Sequence, residues 1–262
     1  MTPALLLALI AIVRQQPKIA RLLKFVAVGG ARVSESLIET ARQLGIPAYE
    51  GYGLSECGSV VCLNTPSANK AGTSGRVLPH LEVRIASDGE LEVKGNRALG
   101  YLDQPFVSEW LATGDLAEID NQGFVTLLGR KKNVIVTAYG RNVSPEWVES
   151  EAFAYLPHVP FFIIGDDQKS LCAVTQSCSD SDLTHIITAI NQSLPDYARI
   201  GTVLIMQQVN QVTQWFTANG KIKRHQLELD AATMLAEQHS SLLFAGQRVT
   251  RIDIALEQSL AS

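Results

Sequence analysis

The hydrophobic pattern of this 262-residue chain changes character twice, which narrows the folds open to it. Lys24 to Val28 reads as a short buried strand ending at Gly29-Gly30, Ser34 to Leu44 as a helix stopped by Gly45, and Ile46 to Glu50 as a second strand. Strand, helix and strand in that order argue for an α/β layer. Leu81 to Ile85 and Glu90 to Lys94 then alternate with period two on either side of Asp88-Gly89, which is a β-hairpin signal. Asn121-Gln-Gly123 before Phe124 to Leu128 gives another turn and strand.

Beyond Arg130 the pattern shifts again. Ser144-Pro145-Glu146 has the makings of a helix start: a side-chain cap, a proline whose missing N–H costs nothing there, and a first-turn acid. Phe161 to Ile164 and Leu171 to Thr175 flank a second hairpin turn, Asp182 to Ser193 reads as a helix and Thr202 to Gln207 as a strand. The fold class expected is α/β followed by a smaller α+β unit. The last segment, His225 to Ser262, is expected to be mostly helical.

Apolar residues make up 46% of the chain and charged residues 18%, a globular composition able to bury a core in two units. The net charge of -4, with basic residues scattered apart from Lys221, Lys223 and Arg224, gives no electrostatic reason to expect nucleic acid. Cys57, Cys62, Cys172 and Cys178 form no CxxC pair and have no histidine at metal-ligand spacing, so they are expected to be free thiols in the cytoplasm. The apolar run Ala4 to Val13 lacks a preceding basic residue and a small-residue cleavage site, and it is too short to span a bilayer. It is expected to be a helix packed in a core, and a sticky surface wherever its natural neighbours are absent.

Four segments carry polar or charged side chains of the kinds that binding sites and catalysis use. Gly51-Tyr-Gly-Leu-Ser-Glu56 is a glycine-punctuated turn bearing a hydroxyl and a carboxylate. Thr113-Gly-Asp115 offers an acid able to accept hydrogen bonds from both hydroxyls of a ribose. Arg130-Lys-Lys-Asn-Val-Ile-Val-Thr-Ala-Tyr-Gly-Arg-Asn-Val-Ser-Pro-Glu-Trp-Val-Glu149 begins with a fixed-charge fork. Thr217-Ala-Asn-Gly-Lys-Ile-Lys-Arg224 places a lysine after a turn. Alone, each is an ordinary turn or a solvated charge; their order is the signal.

In that order, over roughly residues 20 to 224, these segments resemble the motifs of the AMP-forming acyl-CoA synthetases, adenylate-forming enzymes that activate carboxylic acids with ATP. The wording around Arg130 is most similar to long-chain fatty acyl-CoA synthetases. The resemblance implies that Tyr52 flanks the adenine of ATP or AMP, that Gly53 beside it belongs to the cofactor-binding segment, that Gly29 and Gly30 line the acyl and adenine side of the pocket, and that Ser55 hydrogen-bonds the α-phosphate. Serine stands where threonine is usual, which keeps the hydroxyl. Glu56 would help hold Mg²⁺, for which a carboxylate is a suitable hard ligand. Asp115 would hold the ribose and Arg130 the ribose or phosphate. Lys132 falls at the hinge between domains, Gly140 beside the channel for coenzyme A, and Lys221 would reach the carboxylate and α-phosphate. Adenylation moves no proton, so what it needs is positioning and cationic stabilisation.

The resemblance divides the chain into residues 1–131, the C-terminal portion of a large AMP-binding domain; residues 132–224, a small mobile α+β lid; and residues 225–262, an extension without a counterpart in the motifs. The Ser/Thr/Gly-rich phosphate loop that members carry earlier is missing. Two readings follow: a truncated or split ligase acting on a carboxylic, and by resemblance fatty, acid with a separate N-terminal half as partner, or a non-catalytic nucleotide or acyl-adenylate binding module.

Overall fold

The structure, a computed structural model, describes residues 1–157, 159–176, 180–218, 221–237 and 241–256. Cys178 and the Asn219-Gly220 turn lie outside them. The chain divides into two compact units, Met1–Lys132 and Asn133–Ser262.

In the first unit, helix α1 (Pro3–Gln15) starts where Thr2 Oγ1 accepts the Leu5 N–H and Pro3 occupies the first turn. Its apolar run buries one stripe, Pro3, Leu6, Ile10 and Val13, while Leu5 and Ile12 face outward. Strand β1 (Val26–Val28), helix α2 (Glu35–Gln43) and strand β2 (Ala48–Tyr52) form the α/β layer, with β1 and β2 parallel from Val26↔Ala48 to Val28↔Glu50. β1 is two residues shorter than the apolar run suggests, because its pairing begins only at Val26. Short strands β3 (Cys62–Leu63) and β4 (Arg76–Val77) complete this sheet in the order β1-β2-β3-β4.

A second, antiparallel sheet follows. Strands β5 (Leu81–Ile85) and β6 (Glu90–Gly95) form the expected hairpin about Gly89, at φ +85°. After the small ribbon β7 (Gly100–Tyr101) and β8 (Gln104–Pro105) come β9 (Leu111–Ile119) and β10 (Val125–Arg130), giving the order β10-β9-β6-β5. Its buried face gathers Leu81, Leu91, Val93, Leu111, Ala117 and Val125 with Cys57, Val61 and Cys62. Burial raises the Cys57 thiol and pushes that of Cys62 up to about 12, so both stay protonated.

The second unit opens with the two-strand ribbon β11 (Ile135–Val136) and β12 (Asn142–Val143), then helix α3 (Pro145–Phe153) with Ser144 as its N-cap, accepting the Trp147 N–H. A five-stranded sheet follows, made of β13 (Phe161–Ile164), β14 (Leu171–Gln176), β15 (Ile200–Met206), β16 (Ser241–Phe244) and β17 (Gln247–Asp253) in the order β13-β14-β15-β17-β16. Helix α4 (Asp180–Ser193) lies between β14 and β15 in the chain, and α5 (Arg224–Ala236) precedes β16. Successive residues of β14 and β15 feed opposite cores. Leu171, Ala173, Val203 and Ile205 pack with Val148, Leu183 and Ile187, whereas Cys172, Val174, Leu204 and Met206 pack with Leu227, Ala231, Met234 and Trp215. Covered on both faces, these strands read as unbroken apolar runs.

Residues 225–262 therefore differ from the mostly helical appendage expected. After α5 the chain forms a hairpin whose inner strand β17 pairs antiparallel with β15 from Thr202↔Asp253 to Met206↔Val249. Its turn, Ala245-Gly246, has φ of +48° and +76°, the pair of positive values that joins right-twisted strands in two residues. Pairing along β15 removes an apolar sheet edge, a gain that local sequence preference does not contain.

Candidate active site

The parallel strands β1 and β2 both end at glycines, and in α/β layers ligands bind beyond the carboxyl ends of such strands. A Cβ on Gly29 would stand 2.5 Å from the Gly51 carbonyl oxygen, so glycine is required for the two strand ends to approach this closely. Gly53 is tighter still, since a Cβ there would meet the Ser59 carbonyl at 1.7 Å. The loop after β2 thus folds flat on itself, turning at Ser55–Cys57 and reversing through Gly58 and Ser59 at φ +68° and +88°. Gly30, at φ +80°, and Ser55 lie exposed along this rim.

Strands β9 and β10 bring up the second half of the site. Asp115 and Arg130 are direct cross-strand partners, and the guanidinium Nε lies 2.9 Å from Asp115 Oδ1. Tyr52, at the end of β2, donates its hydroxyl to the other oxygen, Oδ2, at 2.6 Å. Burial, and then the Asp115 charge, raise the Tyr52 phenol well above its ordinary value, so it remains a donor at every ordinary pH. The supports are ordered too. Thr113 Oγ1 donates to the Leu91 carbonyl at 2.8 Å and accepts the Asp115 N–H at 3.1 Å, while Arg130 Nη1 donates to the Thr113 carbonyl at 3.0 Å. Three residues far apart in sequence thereby form one carboxylate-centred cluster, with Asp115 buried and Arg130 exposed.

Glu56 belongs to the same loop. Tyr101, on the ribbon β7–β8, donates its hydroxyl to Glu56 Oε1 at 2.6 Å. This contact spans 45 residues and leaves no local signal in the sequence. Among the described residues, no group of three His, Cys, Asp or Glu side chains is placed to hold a metal ion by itself. A single carboxylate is nevertheless the share a protein often contributes to Mg²⁺ when phosphate oxygens complete the shell.

The other candidates sit at or beyond the end of the first unit. Lys132 is exposed in a short turn, Lys131–Asn133. Gly140, at φ +71°, tips an exposed loop closed by the Gly140 N–H to the Thr137 carbonyl at 2.8 Å, and a Cβ there would meet nothing within 4 Å. Lys221 is exposed on a narrow loop, its N–H donating to Thr217 Oγ1 at 3.0 Å and its carbonyl accepting the Thr217 N–H at 2.8 Å. No helix among the described residues is long and apolar enough to cross a membrane.

Known proteins resemble this chain in sequence and in fold. Residues 1–102 match the AMP-binding enzyme family. A long-chain-fatty-acid–CoA ligase of Mycobacterium tuberculosis is 39% identical over 145 residues, 53% of this chain and 24% of that protein. A 2-succinylbenzoate–CoA ligase of Listeria monocytogenes is 29% identical over 218 residues, 78% of this chain and 45% of that one. Among solved structures, o-succinylbenzoate-CoA synthetase from Bacillus subtilis, in complex with its acyl-adenylate intermediate, superposes with a TM-score of 0.71 at 25% identity over 87% of this chain and 50% of its own. The chain thus spans half or less of the length of these relatives. The relationship to adenylate-forming enzymes read from the motif order is borne out in sequence and in fold.

Proposed function

We propose that this chain, a relative of the AMP-binding CoA ligases, provides the C-terminal half of an AMP-forming carboxylic acid–CoA ligase, with a fatty acid as substrate. The observation that carries the reading is the Tyr52–Asp115–Arg130 cluster, where the end of β2 meets β9 and β10. Asp115 is held ready to accept from a ribose, Tyr52 stands beside it for the adenine, and Arg130 supplies a fixed positive charge for ribose or phosphate. Ser55 faces the α-phosphate, and Gly29 and Gly30 line the acyl and adenine side.

In the first half-reaction a carboxylate oxygen bonds to the α-phosphorus of ATP as the bond to the bridging oxygen breaks and pyrophosphate leaves. In the second, a thiol attacks the acyl carbon; AMP departs with the electron pair of the broken bond and the thiol proton passes to solvent. Lys221 meets the charge that accumulates at the α-phosphate in the first step. Glu56, oriented by Tyr101, would contribute to a Mg²⁺ site, where the ion supplies charge neutralisation at the phosphates. Lys132 serves as the hinge and Gly140 borders the coenzyme A channel. The fatty-acid assignment draws on the 39% identity to a fatty-acid–CoA ligase, and relatives acting on 2-succinylbenzoate mark the competing substrate class.

Acid-dependent ATP–pyrophosphate exchange tests this directly, run on the chain with and without a candidate N-terminal half that carries the phosphate loop. Fatty acids of several lengths and 2-succinylbenzoate are offered in parallel. Exchange is expected with fatty acids, falling about 10²–10³-fold in Lys221→Ala, the scale of losing one charge-stabilising donor. Folded protein that shows no exchange in either arrangement would overturn the reading in favour of a nucleotide-binding module.

A further inference from the structure

Lys221 is exposed and flexible by chemistry, so something must fix the loop that carries it. Two anchors flank that loop. On its N-terminal side Trp215, fully buried, donates Nε1–H to Asp230 Oδ2 at 2.7 Å, and the Trp215 carbonyl accepts the Lys223 N–H at 2.7 Å. On its C-terminal side stands Arg224, three residues past the lysine and first in α5. Its fork grips Glu149 with both nitrogens, Nη2 to Oε2 at 2.6 Å and Nη1 to Oε1 at 2.9 Å, and its Nε lies 3.2 Å from Glu146 Oε1.

The carboxylates are themselves tied down. Glu149 Oε1 accepts the Ile163 N–H of β13 at 2.9 Å. Glu146 Oε1 accepts from Asn133 Nδ2 at 2.6 Å and Glu146 Oε2 from the Ser144 hydroxyl at 3.1 Å. A continuous chain of charge-assisted contacts therefore runs from Asn133, next to the exposed Lys132, through Glu146 to the foot of the Lys221 loop. The side chains of Arg224 and Glu149 are only 15% and 17% exposed, so this pair is desolvated enough to hold its geometry.

We propose that Arg224 is a positioning residue for Lys221, and that the Arg224–Glu149–Glu146–Asn133 network fixes where the lysine stands relative to the start of the second unit. It rests on the catalytic reading of Lys221, but its structural content is independent of turnover. A lysine that must meet a phosphate repeatedly in one geometry needs a rigid foot, because a misplacement of about 1 Å can cost roughly 10²-fold in rate. Glu149 ends the sequence segment quoted above and Arg224 ends the lysine-bearing one, yet their pairing spans 75 residues.

Arg224→Lys keeps the charge and loses the fork; Glu149→Gln keeps an acceptor and loses the charge. Both are made in the full chain, and amide hydrogen exchange is followed at Thr217, Lys221 and Lys223, whose N–H groups close the loop, and at β14 and β15 as the internal reference. The expected result is exchange faster by about tenfold or more at the three loop amides in both variants, with the sheet unchanged, as for local opening released from a buried pair. Loop amides that keep their wild-type rates, or that accelerate only in step with the sheet, would overturn the proposal. In a preparation active in pyrophosphate exchange, Arg224→Lys is also expected to lower kcat with KM for ATP and acid unchanged. Should Lys221→Ala leave exchange intact, the catalytic reading falls while the hydrogen-exchange result still decides the positioning role.

Discussion

Glu50 shows how a single buried carboxylate can govern the pH response of the first unit. It sits at the parallel end of β2, one residue before the glycine on which Gly29 packs. Burial pushes its pKa from 4.5 up to about 7, against the opposing pull of Arg32 and the Ser74 hydroxyl. Between those two values the folded chain keeps a proton that the unfolded chain has released, so stability falls as pH rises through this window. The lost stability amounts to roughly 3 kcal/mol once pH passes the upper value. Denaturant midpoints measured from pH 5 to 8 should therefore decline, and Glu50→Gln should remove most of the decline. Equal slopes in the two proteins would show that other groups set the response.

At the scale of elements, the second unit depends on a side chain that imitates a strand. Asn191 of α4 accepts the Ile200 N–H at 2.8 Å and donates to the Ile200 carbonyl at 2.9 Å, satisfying the first residue of β15 as a neighbouring strand would. Asn191→Ala leaves both backbone groups buried and unpaired, and should cost about 2–6 kcal/mol at one to three per group, read as a lower unfolding midpoint. A loss below about 0.5 kcal/mol would mean that water replaces the amide. Asn191 is invisible in sequence because it lies inside an ordinary amphipathic helix. The hairpins at Gly89 and between β13 and β14, and the cap at Ser144, were legible because turn chemistry and periodicity are local. The β16–β17 hairpin was not, since Ala245-Gly246 is a weak turn signal and its stabilising partner, β15, lies some forty residues away in sequence. The site divides in the same way. Its single residues could be read from motif order, whereas Tyr101 beneath Glu56 and Glu149 beneath Arg224 required the fold.

For the whole molecule the proposed ligase function raises the question of how two units would share one reaction, and the residues around position 132 suggest an answer. Lys131 is committed to the first unit, its Nζ bonded to Asp88 and, at 2.9 Å, to Glu90 Oε2. Asn133 is committed to the second through Glu146. Rearrangement between the two proposed half-reactions would then fall on the backbone of Lys132, which stands exposed in this short turn. Proline at this position fixes its own φ near −65° and biases Lys131 toward extended conformations, so it would favour one arrangement over the other. Lys132→Pro should therefore separate the two steps. Pyrophosphate exchange is expected to survive within about threefold, while thioester formation from preformed acyl-adenylate falls by about tenfold or more, as expected when a gating motion is lost. Loss of both steps in equal measure, with the unfolding midpoint unchanged, would move the hinge elsewhere in the connecting turn.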